Sequence, residues 1–367
     1  MTNDSQSDFK HLARAAAGGL LRLFPCLLIV VFVGSHQSRL FGTTDYQLAV
    51  QRLLAGQNFY GYINYDERAF ERDMARGLKT PITVLVAGSS RTMQLESDCF
   101  DGPYFNASVS AAMVPDLVAM VEEFRRGREL KHVVIGADPW IMNEPGRFHY
   151  DDATRMQAAP DWVRGQLWLG LTPAWDDWLG AAKAELEPFR EILAPYSFQA
   201  AWRIFLYGRP RLPADLPNLF RKEPDGSLRY ADFFVNVSEA KAVELARQGA
   251  EAHVPSVYAN FWRIDPALSK AFEAMTSALQ KSGVRITIVV APFHPVYYDF
   301  VTHNGGGKMV PAVEDYFRQL AKEHGYEIIG SYDPAKAGVT ATDFFDGGHL
   351  KKATLKRLYG CPLPPRP

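Results

Sequence analysis

Four short runs of apolar, β-branched residues, at positions 82–87, 131–136, 284–291 and 326–330, constrain this chain more than any other feature. They are short and bounded by turn-forming residues, which is the signature of strands buried in a sheet. Stretches with apolar residues at helical spacing stand between them: 113–126 before the second run, 266–281 before the third and 311–324 before the fourth. A parallel strand pair needs a long crossover, and a helix supplies it, so this alternation predicts a parallel sheet covered by helices on both faces. Residues 45–55 and 65–76 read as helical connectors ahead of the first strand.

With 367 residues, one α/β domain carrying a large insertion fits as well as two domains. Hydrophobic residues make up 47% and charged residues 22%, and the formal net charge is -1, so nothing electrostatic points to nucleic acid as a partner. Cys26, Cys99 and Cys361 show no Cys-x-x-Cys spacing, so neither a zinc site nor a disulfide framework is predicted, and no metal is expected.

Residues 15–34 are apolar apart from Arg22, which matches the roughly 20 residues that cross a bilayer. A membrane anchor is therefore expected, with Arg22 reaching toward the interface. Lys10 and Arg14 precede it and Arg39 follows, which favours a cytoplasmic start and a body on the far side. Phe32-Val33-Gly34 lacks the small-x-small pattern of a cleavage site, so retention is expected rather than removal.

The pattern divides into a cytoplasmic start and anchor at 1–40, a first α/β part at 41–150, an inserted segment at 151–260, a second α/β part at 261–358 and a tail at 359–367. The insertion carries Trp162, Trp168, Trp175, Trp178 and Trp202 among prolines and reads as a helical, aromatic-rich cap, with a turn at Asp225-Gly226. Its tryptophans suit packing within the cap, stacking on sugar rings or a membrane surface.

Two groups of residues carry chemistry. Gly88-Ser89-Ser90-Arg91 follows the first strand, and in an open α/β sheet ligands bind beyond the carboxyl ends of strands. Such turns also arise for conformational reasons alone. Asp346-Gly347-Gly348-His349 places a carboxylate and an imidazole three apart, so Asp346 can hold Nδ1–H while Nε2 faces a hydroxyl; Asp343 is an alternative orienter. Ser, His and Asp are the elements of nucleophilic acyl transfer, because a neutral hydroxyl attacks poorly until an oriented base takes its proton. His294 follows the third strand and is either a substrate-binding residue or a loop histidine satisfied by its neighbours. Gly305-Gly306-Gly307-Lys308 lacks the spacing of a phosphate loop and reads as a flexible loop.

These residues resemble the SGNH hydrolases, the GDSL-type esterases, over 82–140 and 284–350. The resemblance implies a flavodoxin-like three-layer sandwich with a central parallel sheet and no cofactor. It implies Ser90 as nucleophile, with Ser89 where the family has Asp, and Asp346 and His349 as the last block. Asn106-Ala107-Ser108 resembles the second block, with Ser108 at the oxyanion glycine whose N–H faces the substrate. Gly136-Ala137-Asp138 resembles the third block, but Asp138 replaces an Asn donor. A carboxylate repels a developing oxyanion, and losing one donor costs about 10² to 10³ in rate. Either burial keeps Asp138 neutral, or it contacts something other than the substrate, the plainer form being that it caps the element that begins at Pro139-Trp140. The anchor, the Gly-Ser-Ser block and the Asp-Pro-Trp sequence resemble the DltD-like and alginate-acetylation-type branch. That branch implies a membrane-anchored O-acyltransferase outside the cytoplasm, beside a membrane-bound O-acyltransferase partner, acetylating a polysaccharide acceptor. The alternatives are an esterase using the same residues, or a polymer-binding subunit without catalysis.

Overall fold

The computed structural model describes residues 45–60, 65–143, 153–193 and 220–361. In chain order these form α1 (Asp45–Leu54), β1 (Phe59–Tyr60), α2 (Glu67–Gly77), β2 (Val84–Ala87), β3 (Tyr104–Asn106), α3 (Val114–Arg125), β4 (His132–Gly136), α4 (Ala153–Trp168), α5 (Trp175–Leu193), β5 (Arg221–Lys222), β6 (Leu228–Arg229), α6 (Glu239–His253), α7 (Pro266–Lys281), β7 (Arg285–Val290), α8 (Pro295–His303), α9 (Val310–His324), β8 (Glu327–Gly330) and α10 (Lys352–Leu358). Two units are distinguished, Asp45–Glu185 with Pro213–Pro367, and Met1–Thr44 with Leu186–Leu212; nearly all described residues lie in the first.

The four predicted strands are β2, β4, β7 and β8, within two residues at each end. They join β3 in a five-stranded, wholly parallel sheet of order β3-β2-β4-β7-β8. Numbered by their own sequence, this is 2-1-3-4-5, a doubly wound order whose direction switches beside β2. Alternate residues face opposite sides. Val84, Val86, Val134 and Val289 share one core with Leu95, Tyr104, Phe344, Leu350 and Leu355 of α10. Leu85, Val133, Ile135 and Ile288 turn to the other side, where α3 packs on β2 and α7 and α9 pack on β7. Helices thus cover both faces, giving a layered α/β architecture.

Local chemistry sets the helix ends. The Asp265 side chain accepts the N–H groups of Ala267 and Leu268, with Pro266 at the first helical position, so α7 begins where expected. Gly325, at φ 71°, ends α9. Strand β3 has no counterpart in the sequence reading: its three residues lie at the sheet edge, too few to show a period.

Much of the aromatic-rich segment belongs to the main unit. Helix α4 buries Ala158, Ala159, Trp162 and Val163 and packs on α3, whose length is buried almost throughout. Gly165 permits this approach, since a Cβ there would lie 2.6 Å from Val118 Cγ1. The Asp225-Gly226 turn joins β5 to β6, which with β1 make a small antiparallel sheet. Gly226, at φ 81°, presses on β3, where a Cβ would sit 2.2 Å from the Asn106 carbonyl oxygen. Trp175 and Trp178 are exposed, and Trp202 lies outside the described residues.

Three expectations need correction or placement. Cys99 and Cys361 form a disulfide across a sequence separation of 262, a pairing that spacing could not suggest because the β2–β3 connection and α10 bring the two together on one face of the sheet. Residues 305–308 fall in a packed 3₁₀ turn with Gly306 and Gly307 buried, not in an open loop. Residues 15–34 lie outside the described residues; among those described, no helix is long and apolar enough to cross a membrane.

Candidate active site

Beyond the carboxyl end of β2 the chain turns tightly. Thr92 donates to the Ser89 carbonyl through both its N–H and its hydroxyl, each at 3.0 Å, and Arg91 N–H donates to Ser89 Oγ at 3.2 Å. Ser89 is thereby buried in the turn, and the neighbouring Ser90 faces a cleft. The turn requires Gly88: a Cβ there would lie 2.4 Å from Thr92 Oγ1 and 3.0 Å from Gly136 Cα at the end of β4. Close approach of two strand ends, not a left-handed backbone, is the physical reason for glycine here.

Ser90 Oγ lies 2.8 Å from His349 Nε2, although 259 positions separate the residues. His349 Nδ1 lies 2.8 and 3.0 Å from the two Asp346 oxygens. Asp346 Oδ1 also accepts the N–H groups of Gly348 and His349 at 2.8 Å, which fixes the carboxylate within its own loop. Burial works to raise the Asp346 pKa, but the His349 charge and these hydrogen bonds outweigh it and bring it down to about 2. An ionised Asp346 accepts the Nδ1 proton, so Nε2 presents its lone pair to the Ser90 hydroxyl. The His349 ring stacks on Phe345 at 5.5 Å and 8°, and the Tyr230 hydroxyl donates to the Ser90 carbonyl at 3.3 Å. Asp343 is bound by Thr340 and Thr354 and does not orient the histidine.

The remaining predicted residues do not reach the cleft as expected. The Ser108 N–H donates to Asn106 Oδ1 at 3.0 Å and its hydroxyl pairs with Thr92 at 2.9 Å, so it has no donor left for an oxyanion. Asn106 is buried and donates to the carbonyls of Thr92 and Leu95 at 2.9 and 3.1 Å, bracing the segment after Ser90. Asp138 does not cap with its side chain the turn that follows; it contacts another side chain instead, pairing with Arg91 at 2.8 Å, both side chains at most 4% exposed. His294 is buried, accepts the Val296 N–H at 3.2 Å as the cap of α8, and lies outside the cleft lining. Burial lowers its pKa, with Asp346 opposing.

Arg91 closes the Gly-Ser-Ser-Arg turn, and nothing in the local sequence signals its role. It donates to the Gly348 carbonyl at 3.0 Å and the Pro292 carbonyl at 2.7 Å, bonds the Ala291 carbonyl as well, and lies 3.8 Å over the Phe293 ring. One side chain thus ties the ends of β2, β4 and β7 to the loop that carries His349. The cleft, of about 700 Å³, is lined also by Met113, Trp140, Leu245, Gln248, His253 and Val257. Ala111 lines it at φ 48°, an uncommon conformation for a residue with a Cβ. Leu245, Gly249 and His253 of α6 reach it from within the stretch read as a cap, and their spacing of four was the only signal available. Among the described residues the Ser90 N–H has no acceptor, and no group of three or more His, Cys, Asp and Glu is placed to hold a metal. Comparison with protein-family models and with curated proteins finds no match to this chain.

Proposed function

We propose that the protein is a Ser-dependent acyl-transfer enzyme of SGNH type, and within that class an O-acyltransferase that acetylates a polysaccharide. The observation that carries this reading is the continuous Asp346–His349–Ser90 hydrogen-bond chain opening on a cleft. His349 takes the Ser90 proton as Oγ bonds the acyl carbon, and returns that proton to the leaving group as the acyl–Ser90 ester forms. An acceptor hydroxyl then gives its proton to His349, its oxygen bonds the acyl carbon, and Ser90 Oγ leaves and is reprotonated. The free Ser90 N–H is positioned to bind the oxyanion. Asp138, committed to Arg91, plays no part in that stabilisation.

The strand order and the end-of-strand location support the SGNH assignment. The Cys99–Cys361 disulfide favours an oxidising compartment, in keeping with an anchor at 15–34 and a body outside the cytoplasm. A membrane-bound O-acyltransferase is the natural source of the acyl group there. An esterase would use the same steps with water as acceptor.

The test is labelling by a fluorophosphonate probe together with acetyl release and transfer from an activated ester. Ser90→Ala and His349→Ala should each lose on the order of 10⁶ in turnover. A folded Ser90→Ala protein that turns over normally refutes the assignment; free acetate without acetylated sugar from the wild type indicates the esterase.

A further inference from the structure

We propose that His253, held by Tyr297, binds the polyol acceptor of the transfer step by donating a hydrogen bond from Nε2. The inference rests on the Ser90–His349 reading above and adds the site of the second substrate.

Helix α6 packs on α8, and its Leu245, Gly249 and His253 face the cleft that holds Ser90 and His349. His253 Nδ1 lies 2.8 Å from the Tyr297 hydroxyl. Tyr297 is 2% exposed and locked in place: its ring stacks on Phe293 at 4.7 Å, and Gly347, between Asp346 and His349, lies so close that a Cβ would meet the ring at 2.7 Å. The loop that orients His349 and the group that orients His253 therefore rest on the same tyrosine. Burial raises the Tyr297 pKa, so its hydroxyl stays protonated, and we assign it the donor role toward Nδ1. Burial also lowers the His253 pKa, with Asp346 opposing, which favours a neutral ring whose own proton sits on Nε2. His253 lies in the cleft lining and not among the core residues, so core packing does not call for an imidazole there.

With Nδ1 taken by Tyr297, the ring presents Nε2 as an N–H donor held in the cleft that contains the acyl-forming serine. Hydrolysis needs no such group, because water reaches the acyl ester without a binding site. A sugar or other polyol offers oxygens beside the attacking hydroxyl, and one of them can accept from Nε2 while the attacking hydroxyl gives its proton to His349.

The experiment reads the ratio of glycerol acylation to hydrolysis during turnover of an activated acetyl ester by the whole chain. This ratio is independent of how much of a variant is folded. His253→Leu should lower it about fivefold, the worth of one hydrogen bond. His253→Gln, which keeps an N–H donor, should recover part of that loss, and Tyr297→Phe should lower the ratio about threefold. An unchanged ratio in His253→Leu, or a Gln variant no better than Leu, overturns the inference. Ser90-dependent hydrolysis with no transfer to glycerol in the wild type overturns it while leaving the triad intact; absence of Ser90-dependent turnover removes the triad reading and this inference with it.

Discussion

Replacing Asp138 by Asn separates two accounts of this site, because they predict opposite signs. If the position were an oxyanion donor, Asn would restore a missing hydrogen bond and raise turnover by about 10² to 10³. The structure instead gives Asp138 to Arg91 at 2.8 Å, with side-chain exposures of 4% and 3%. Asn removes a charge-assisted bond and leaves a buried guanidinium without its counter-ion. Breaking a buried pair from one side costs about 3 to 5 kcal/mol. The lower end applies here, because Arg91 keeps the carbonyls of Gly348, Pro292 and Ala291. A loss of about 3 kcal/mol is about 1 M in urea midpoint for a chain whose m-value is near 3 kcal/mol/M. Turnover should fall about tenfold, since the guanidinium that spans Gly348 and the β7 end also sets the His349 loop. Arg91→Met should cost more, about 4 kcal/mol, because it strands a carboxylate, and the double variant should cost less than the sum of the two. Equilibrium unfolding in urea with the disulfide intact, together with ester turnover, measures both quantities. Asp138→Asn losing under 1 kcal/mol, or turning over faster than wild type, refutes the clamp.

Reduction of Cys99–Cys361, or Cys99→Ser, should destabilise the fold by about 5 kcal/mol, since the bridge closes a loop spanning a separation of 262; a urea midpoint unmoved by reductant contradicts this. The His132 pKa is pushed down to about 4, first by burial and then by Arg285. The unfolded chain binds that proton more readily, so stability should decline as pH falls from about 6.5 to about 4, by about 3 kcal/mol in all. His132→Gln should flatten that decline, and an identical slope in both proteins counts against it. Gly88→Ala should cost about 3 kcal/mol and abolish turnover, because its Cβ meets Thr92 and the β4 end. A Gly88→Ala protein with a wild-type urea midpoint shows that this approach is not tight.

Part of this architecture is legible in local sequence. Strands β2, β4, β7 and β8 are uninterrupted apolar runs, and helices α7 and α9 carry their own Asp, Pro and Gly punctuation. Ser90, Asp346 and His349 stand out for the same reason: two are three apart in one loop, and the third ends a strand. Strand β3 is too short to show a period, and the β5–β6 hairpin has two residues per strand. The resemblance misled at Ser108, whose N–H and hydroxyl are taken by Asn106 and Thr92, because a residue type does not say which neighbour takes its hydrogen bonds.

The sequence by itself determined the layered α/β class, the order of its main strands along the chain, and the three residues able to form an acyl-transfer triad, because periodicity and turn chemistry act over a few neighbours. Only the tertiary structure decided the strand order in space, the 2.8 Å contact across 259 positions, the Arg91–Asp138 clamp, the His253–Tyr297 pair and the disulfide. These are pairings between segments far apart in sequence, and whether a buried donor is free or occupied is settled by the other groups that packing brings to it.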